Sequence, residues 1–157
     1  MQLGMVSTMN ALPVPGSSIG HAVRRIVLIS DWYPSDDRPV AGVFVEEQAV
    51  TLAERCAVTV IAPNLRQLRG RWTAARRVRF ETRRGVEVAR IDAVPVIPRV
   101  GSFAYAAHVS AVRQAFKAVV ERNGRPDLLH AHVIRYAGIS ALDICLLYTS
   151  PSPRDRG

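Results

Sequence analysis

The sequence predicts an α/β domain built on a doubly wound, mainly parallel sheet with a β-hairpin insertion. Three observations predict it. Short unbroken apolar runs such as Ile26 to Ile29 suit strands covered on both faces. Stretches of helical periodicity lie between those runs. The two kinds of segment alternate along the chain, which is the pattern of layered α/β domains.

The elements follow in order. "RRIVLIS" is the first strand, and the loop "DWYPSDDRPVA" follows it with two prolines. In "GVFVEEQAVTLAERC", Val45, Ala49, Leu52 and Cys56 recur at spacings of four, three and four, which is one face of a helix. Glu46 and Glu47 fall in its first turn, where the helix dipole favours negative charge. "AVTVIAP" is the second strand, ended by Pro63, so residues 25–62 form a βαβ unit with an expected right-handed crossover. "NLRQLRGRWTAARR" reads as a linker or short helix. "VRFETRRGVEVARI" reads as two alternating strands around Arg83-Arg84-Gly85. After the proline-containing loop "DAVPVIPRVG", residues 102–122 make a long helix whose apolar stripe is Tyr105, Val109, Val112, Phe116 and Val119. Gly124 and Pro126 end it. "DLLHAH" is a further strand and "YAGISAL" opens the next helix.

Composition bounds the function. The chain has 157 residues, 48% hydrophobic and 22% charged, which suits one soluble globular domain. Its net charge of +8 comes almost wholly from arginine, Lys117 being the sole lysine. That skew fits a GC-rich genome as well as a binding task. Two cysteines, Cys56 and Cys145, make no disulfide framework, so a reducing, cytoplasmic compartment is expected. No apolar run approaches the roughly 18 residues of a membrane span. Residues 1–23, with three methionines and then Pro13, Pro15 and Gly16, read as a disordered leader or an over-extended start, not as a signal peptide.

In a doubly wound sheet the ligand sits outside the carboxyl ends of the strands. Two places there stand out. Gly42 lies where a loop enters a helix, so it is either a helix cap or a point of close approach for a phosphate. The chain contains neither G-x-G-x-x-G nor G-x-x-x-x-G-K-[ST], which disfavours a dinucleotide oxidoreductase or a P-loop enzyme. In "PDLLHAHVIRYAG", Leu128, His130 and His132 alternate onto one face. His132 comes at the carboxyl end facing the crevice, and His130 reads as a buried, hydrogen-bonded histidine. His-x-His without a third ligand at suitable spacing makes a weak metal site, so no metal is assigned. His108 reads as helix surface and His21 as leader.

These residues resemble a family. "IVLISDWYPSDDRPVAGVFVEEQAVTLAERCAVTVIAP", "RRGVEVARI" and "RPDLLHAHVIRYAGISAL" are together similar to the amino-terminal domain of family 4 glycosyltransferases, from about residue 24 to 143. These are retaining enzymes of the GT-B architecture, two Rossmann-like domains facing a cleft. The more specific parts are the W-Y-P turn, the G-V-F-V-x-E-Q helix start and the P-D-x-x-H-A-H strand. The resemblance implies an incomplete half of that fold, an acceptor-side domain over residues 24–144. It implies no cofactor beyond a nucleoside-diphosphate sugar as donor substrate, with Gly42 approaching the donor's phosphates and His132 contacting the transferring sugar. The acceptor would be a hydroxyl on a lipid-linked, polysaccharide or small molecule.

The family's second, donor-gripping domain has no counterpart in this sequence, so catalysis by this chain alone is not expected. "CLLYTSPSPRD", residues 145–155, resembles the translation of a transposase adapter used in sequencing libraries, and residues 145–157 are expected to be a non-native tail. Residues 66–84 hold eight arginines against one acid, Glu81. They read as a solvated loop or, through Arg66, Arg69, Arg71, Arg76, Arg77 and Arg79, as a peripheral contact with an anionic membrane face. The rival class is a basic α/β module that binds nucleic acid or membrane without chemistry; Trp72 and Phe80 are the cluster's only aromatics, and they form no stacking pattern.

Overall fold

The structure, a computed structural model, describes residues 24–65, 77–93 and 101–149. The expected leader, the arginines from 66 to 76 and the tail beyond Thr149 lie outside these residues. The described chain is α/β, with a five-stranded, mainly parallel sheet. The strands are β1 (Arg25–Ser30), β2 (Ala57–Leu65), β3 (Arg79–Arg83), β4 (Val86–Ala93) and β5 (Leu128–His132). The helices are α1 (Val43–Ala53), α2 (Gly101–Asn123) and α3 (Ile139–Thr149), with a π-helical turn at Ile134–Gly138.

The strand order is β3-β4-β2-β1-β5. β1 pairs in parallel with both β2 and β5, and β2 pairs in parallel with β4. β3 runs antiparallel to β4. The chain therefore winds outward from β1 through β2 to β4, then returns along α2 to place β5 on the other side of β1. That reversal puts the switch point at the carboxyl ends of β1 and β5, where open α/β sheets place ligands.

The central strands β1, β2 and β4 bury most of their residues because helices cover both sheet faces. Ile26, Leu28, Val58 and Val60 meet Val45 and Ala49 of α1 on one face. Val27, Ile29, Ile61 and Ile91 meet Val112, Phe116 and Val119 of α2 and Ile144 of α3 on the other. This two-sided cover explains the unbroken apolar run of β1. Asp127 fastens the amino end of the sheet: its Oδ2 accepts the backbone N–H groups of Arg24 and Arg25 at 2.8 and 2.9 Å.

The Arg84-Gly85 turn forms the expected hairpin, with φ of 49° and 82°. Both angles are positive, as a two-residue turn matching strand twist requires. β2 differs from expectation, for it runs through Pro63 to Leu65. Pairing with β1 ends at Ile61, so one side of β2 is open beyond that residue. A proline is tolerated at such an open edge, where it need not donate to a ladder.

Two histidine readings are corrected. His108 is not on the helix surface; it is 2% exposed. The stripe of α2 includes the small residues Ala107, Ala111 and Ala115, all buried, and His108 lies one turn before Val112 on that face. His130 is half-buried instead of buried, and it lies on β5, an edge strand of the sheet. Its ring stacks on His132 at 4.7 Å between centroids.

Candidate functional site

The carboxyl ends of β1, β2 and β4 open into a crevice with two adjoining parts. One, of about 290 Å³, is walled by the β1–α1 loop and by β2, β3 and β4. The other, of about 280 Å³, lies between the same loop, α2 and the π-helical turn. Asp31, Arg38, Pro63 and Asn64 line both. Arg38 Nη2 donates to Asn64 Oδ1 at 2.9 Å, which ties the loop to the end of β2. The loop's own shape comes from Ser30, whose hydroxyl donates to the Trp32 carbonyl at 2.8 Å, and from paired backbone bonds between Ser35 and Arg38.

Asp31 is held from behind. His108 Nε2 lies 2.6 Å from Asp31 Oδ1, and His108 Nδ1 lies 2.9 Å from Ser140 Oγ. Ser140 is 1% exposed, so it serves as a buried hydrogen-bond partner and not as a nucleophile open to substrate. The chain of Ser140, His108 and Asp31 joins α3, α2 and the end of β1. A buried imidazole with both nitrogens engaged has one orientation, and it fixes the carboxylate in the crevice wall. Nothing in the sequence reading assigned Asp31, Arg38 or Asn64, since all three lie at strand ends or in loops without periodic signal.

His132 sits at the last position of β5, paired in register with Ser30. It faces the same side of the sheet as α1, and its ring meets Phe44 edge-on at 6.1 Å. Its Nε2 is buried without a hydrogen-bond partner among the described residues. Burial, and then the neighbouring His130, push its pKa below the ordinary histidine value, which favours the neutral imidazole. Val133 follows with φ of 74°, a conformation that a β-branched residue adopts only under constraint.

Gly42 precedes α1 with φ of 73°, two residues before Phe44, so its helix start and His132 lie at the same end of the sheet. Neither Gly42 nor His132 lines the two crevice parts around Asp31. Gly42 has a structural reason of its own: a Cβ there would lie 2.1 Å from the Trp32 carbonyl oxygen. Among the described residues no group of three or more His, Cys, Asp or Glu is arranged to hold a metal ion. No described helix is long and apolar enough to cross a membrane. Neither Cys56 nor Cys145 is in a disulfide among the described residues.

Glu46 of α1 is 5% exposed and ion-paired to Arg83 at 2.6 Å and to Arg84 at 3.5 Å. Glu47 also pairs with Arg84. Glu46, in the first turn, and Glu47, just past it, therefore bind the hairpin. Arg79 pairs with Asp92 at 3.8 Å, and Arg77 is exposed.

Tyr33 lies between these charges and the core. It is 4% exposed, and its hydroxyl has no partner among the described residues. Burial, and then the Glu46 carboxylate, push the phenol up to about 12. The folded value exceeds the unfolded value of about 10, so Tyr33's contribution is whole below pH 10 and is lost as pH rises toward about 12. Denaturant titrations across that window are expected to show a loss on the order of 2 kcal/mol. Tyr33→Phe should flatten this loss and change stability at pH 7 by less than about 1 kcal/mol, since it removes an unpaired buried hydroxyl. An unchanged pH slope in the variant would refute the assignment.

Comparison with protein-family models, curated proteins and solved structures finds no match for this chain. The fold and site define an α/β domain with a polar crevice at the switch point of its sheet.

Proposed function

We propose that this chain is the acceptor-side, Rossmann-like half of a retaining GT-B glycosyltransferase. The parent would move a sugar from a nucleoside-diphosphate donor to a hydroxyl acceptor. The observation that carries the reading is His132: an imidazole at the switch point whose buried Nε2 has no partner among the described residues, followed by a strained residue. Strain of this kind concentrates at functional sites. A neutral imidazole can hydrogen-bond a sugar hydroxyl without setting a full positive charge beside an oxocarbenium-like centre. The amides of the first turn of α1, entered through Gly42, would favour the donor's phosphates. Stabilising the leaving diphosphate needs further donors from a facing domain, so the chain alone is proposed to be inactive.

The non-catalytic alternative, a basic surface for nucleic acid or membrane, loses part of its charge, because Arg79, Arg83 and Arg84 are paired with carboxylates. The test is to read the source DNA independently past codon 144, express the natural continuation and assay it with a panel of nucleoside-diphosphate sugars. Transfer with retention is expected, reduced by roughly 100-fold in His132→Ala, the scale of losing one well-placed polar group. A well-folded extended protein that transfers from no donor would refute the reading. So would multiple turnover by the 157-residue chain itself.

A further inference from the structure

We infer that the crevice part between Trp32 and Tyr136 binds a saccharide carrying an anionic substituent, a carboxylate or a phosphate. As the acceptor class of the proposed transferase, this rests on that reading; the binding itself does not require transfer.

The inference begins with charge. Two guanidinium groups, Arg38 and Arg135, line this cavity. Arg38 is bonded to the neutral Asn64, and Arg135 Nε donates to the Tyr105 hydroxyl at 3.4 Å. Among the described residues neither makes an ion pair with a carboxylate. The one carboxylate in this wall, Asp31, is already engaged by His108. The adjoining part of the crevice differs: there Arg90 is matched by Glu81 at 2.7 Å, and Arg79 by Asp92 at 3.8 Å. Two unmatched arginines in one concave site favour an anion, and their planar donor forks suit a carboxylate or phosphate.

The rest of the wall selects the body of the ligand. Trp32 is 56% exposed, and with Tyr136 it supplies aromatic surface to the same cavity. Tyr136 is held by Tyr105, centroids 4.5 Å apart, and by the Arg135 guanidinium at 5.4 Å from its ring. Aromatic surface accepts the C–H face of a pyranose, while Asp31 and Asn64 offer polar groups to its hydroxyls. A volume of about 280 Å³ is at the small end of ligand sites, which suits a single sugar residue. Without hydroxyl-bonding groups the site would be a plain anion trap; without the arginines it would suit a neutral sugar.

The experiment uses the full chain with Trp72→Phe, which leaves Trp32 as the sole tryptophan. Its fluorescence is followed during titration with glucose 6-phosphate, glucuronate, glucose and inorganic phosphate. At least one anionic sugar is expected to perturb Trp32 and to bind roughly tenfold or more tightly than glucose, with inorganic phosphate weaker than that sugar. Preference for the first or the second sugar identifies the anion as phosphate or carboxylate. Arg135→Ala and Arg38→Ala should each remove most of the advantage over glucose. Arg135→Lys should restore it only in part, because an ammonium lacks the planar fork. Circular dichroism checks that each variant is folded; both arginines are at the surface. The inference fails if glucose binds as tightly as both anionic sugars, if inorganic phosphate binds as well as they do, if no probe binds, or if folded arginine variants bind like the parent. Failure of sugar transfer in the extended protein would leave this binding result standing. Transfer confined to neutral acceptors would remove the acceptor assignment and leave the transferase reading intact.

Discussion

Gly42→Ala is expected to destabilise the fold by about 3 kcal/mol, whereas Gly85→Ala should cost about 1 kcal/mol. The two glycines share a left-handed backbone, with φ of 73° and 82°. An L-residue pays roughly 1 to 2 kcal/mol for that conformation wherever it occurs. They differ in space. At Gly85 an added Cβ meets nothing within 4 Å, but at Gly42 it overlaps the Trp32 carbonyl oxygen at 2.1 Å and the carbonyl carbon at 2.5 Å. Those are backbone atoms on the turn that carries Asp31 and Trp32, so relief requires moving the crevice wall. Gly124 is a useful third case: its φ is 83°, and its Cβ would meet the Arg25 guanidinium at 2.9 Å, a side chain that can swing away. The expected order of loss in a denaturant titration is therefore Gly42 well above Gly124 and Gly85. Equal losses at Gly42 and Gly85 would show that the loop shifts freely and that its packing does not fix the crevice.

Much of this architecture was legible because it rests on short-range patterns. The apolar run of β1, the spacing of Val45 and Ala49, and the Arg84-Gly85 turn each report a local geometry that tertiary packing then uses. His108 was illegible for the opposite reason. Its partners Asp31 and Ser140 lie 77 and 32 residues away, and a polar residue on a helix is ordinarily on its wet side. The alanines flanking it on α2 gave the stripe too little bulk to mark that face as buried. The crevice was only located, not populated: the sheet topology names its end, while Arg38 reaches it through loop geometry and Asn64 through the run of β2 past Pro63, neither of which periodicity encodes. The position of His132 at the carboxyl end of β5 was legible from the strand's length, but that it lines neither crevice part was not. The exposed Leu146 and Leu147 show that the apolar end of α3 extends the helix without joining the core, whereas Ile144 just before them is buried.

Glu46 shows how a correct local reading can conceal a larger role, and it sets the second expected result. Arg83→Met should cost about 2 to 3 kcal/mol, and Glu46→Leu introduced beside it should recover most of that loss. The carboxylate is almost wholly out of water, and Arg83 Nε is its closest cation at 2.6 Å. Removing that cation leaves a buried charge with Arg84 at 3.5 Å as its remaining ion-pair partner, and Arg84 is also committed to Glu47. Breaking a fully buried pair from one side costs about 3 to 5 kcal/mol; the residual contact with Arg84 reduces the figure here. Replacing the acid by leucine removes the uncompensated charge and fills the space beside Val45 and Ala49 with apolar surface. The single variant Glu46→Leu should therefore be less damaging than Arg83→Met, although it breaks the same bond. A double-mutant cycle measures the difference directly, since coupled neighbours depart from additivity. If the double variant is instead as unstable as the sum of the singles, Arg83 acts by packing its stem and not by neutralising Glu46. Arg83 would then join the hairpin to α1 through apolar contact, leaving Arg84 to carry the ion pairs between them.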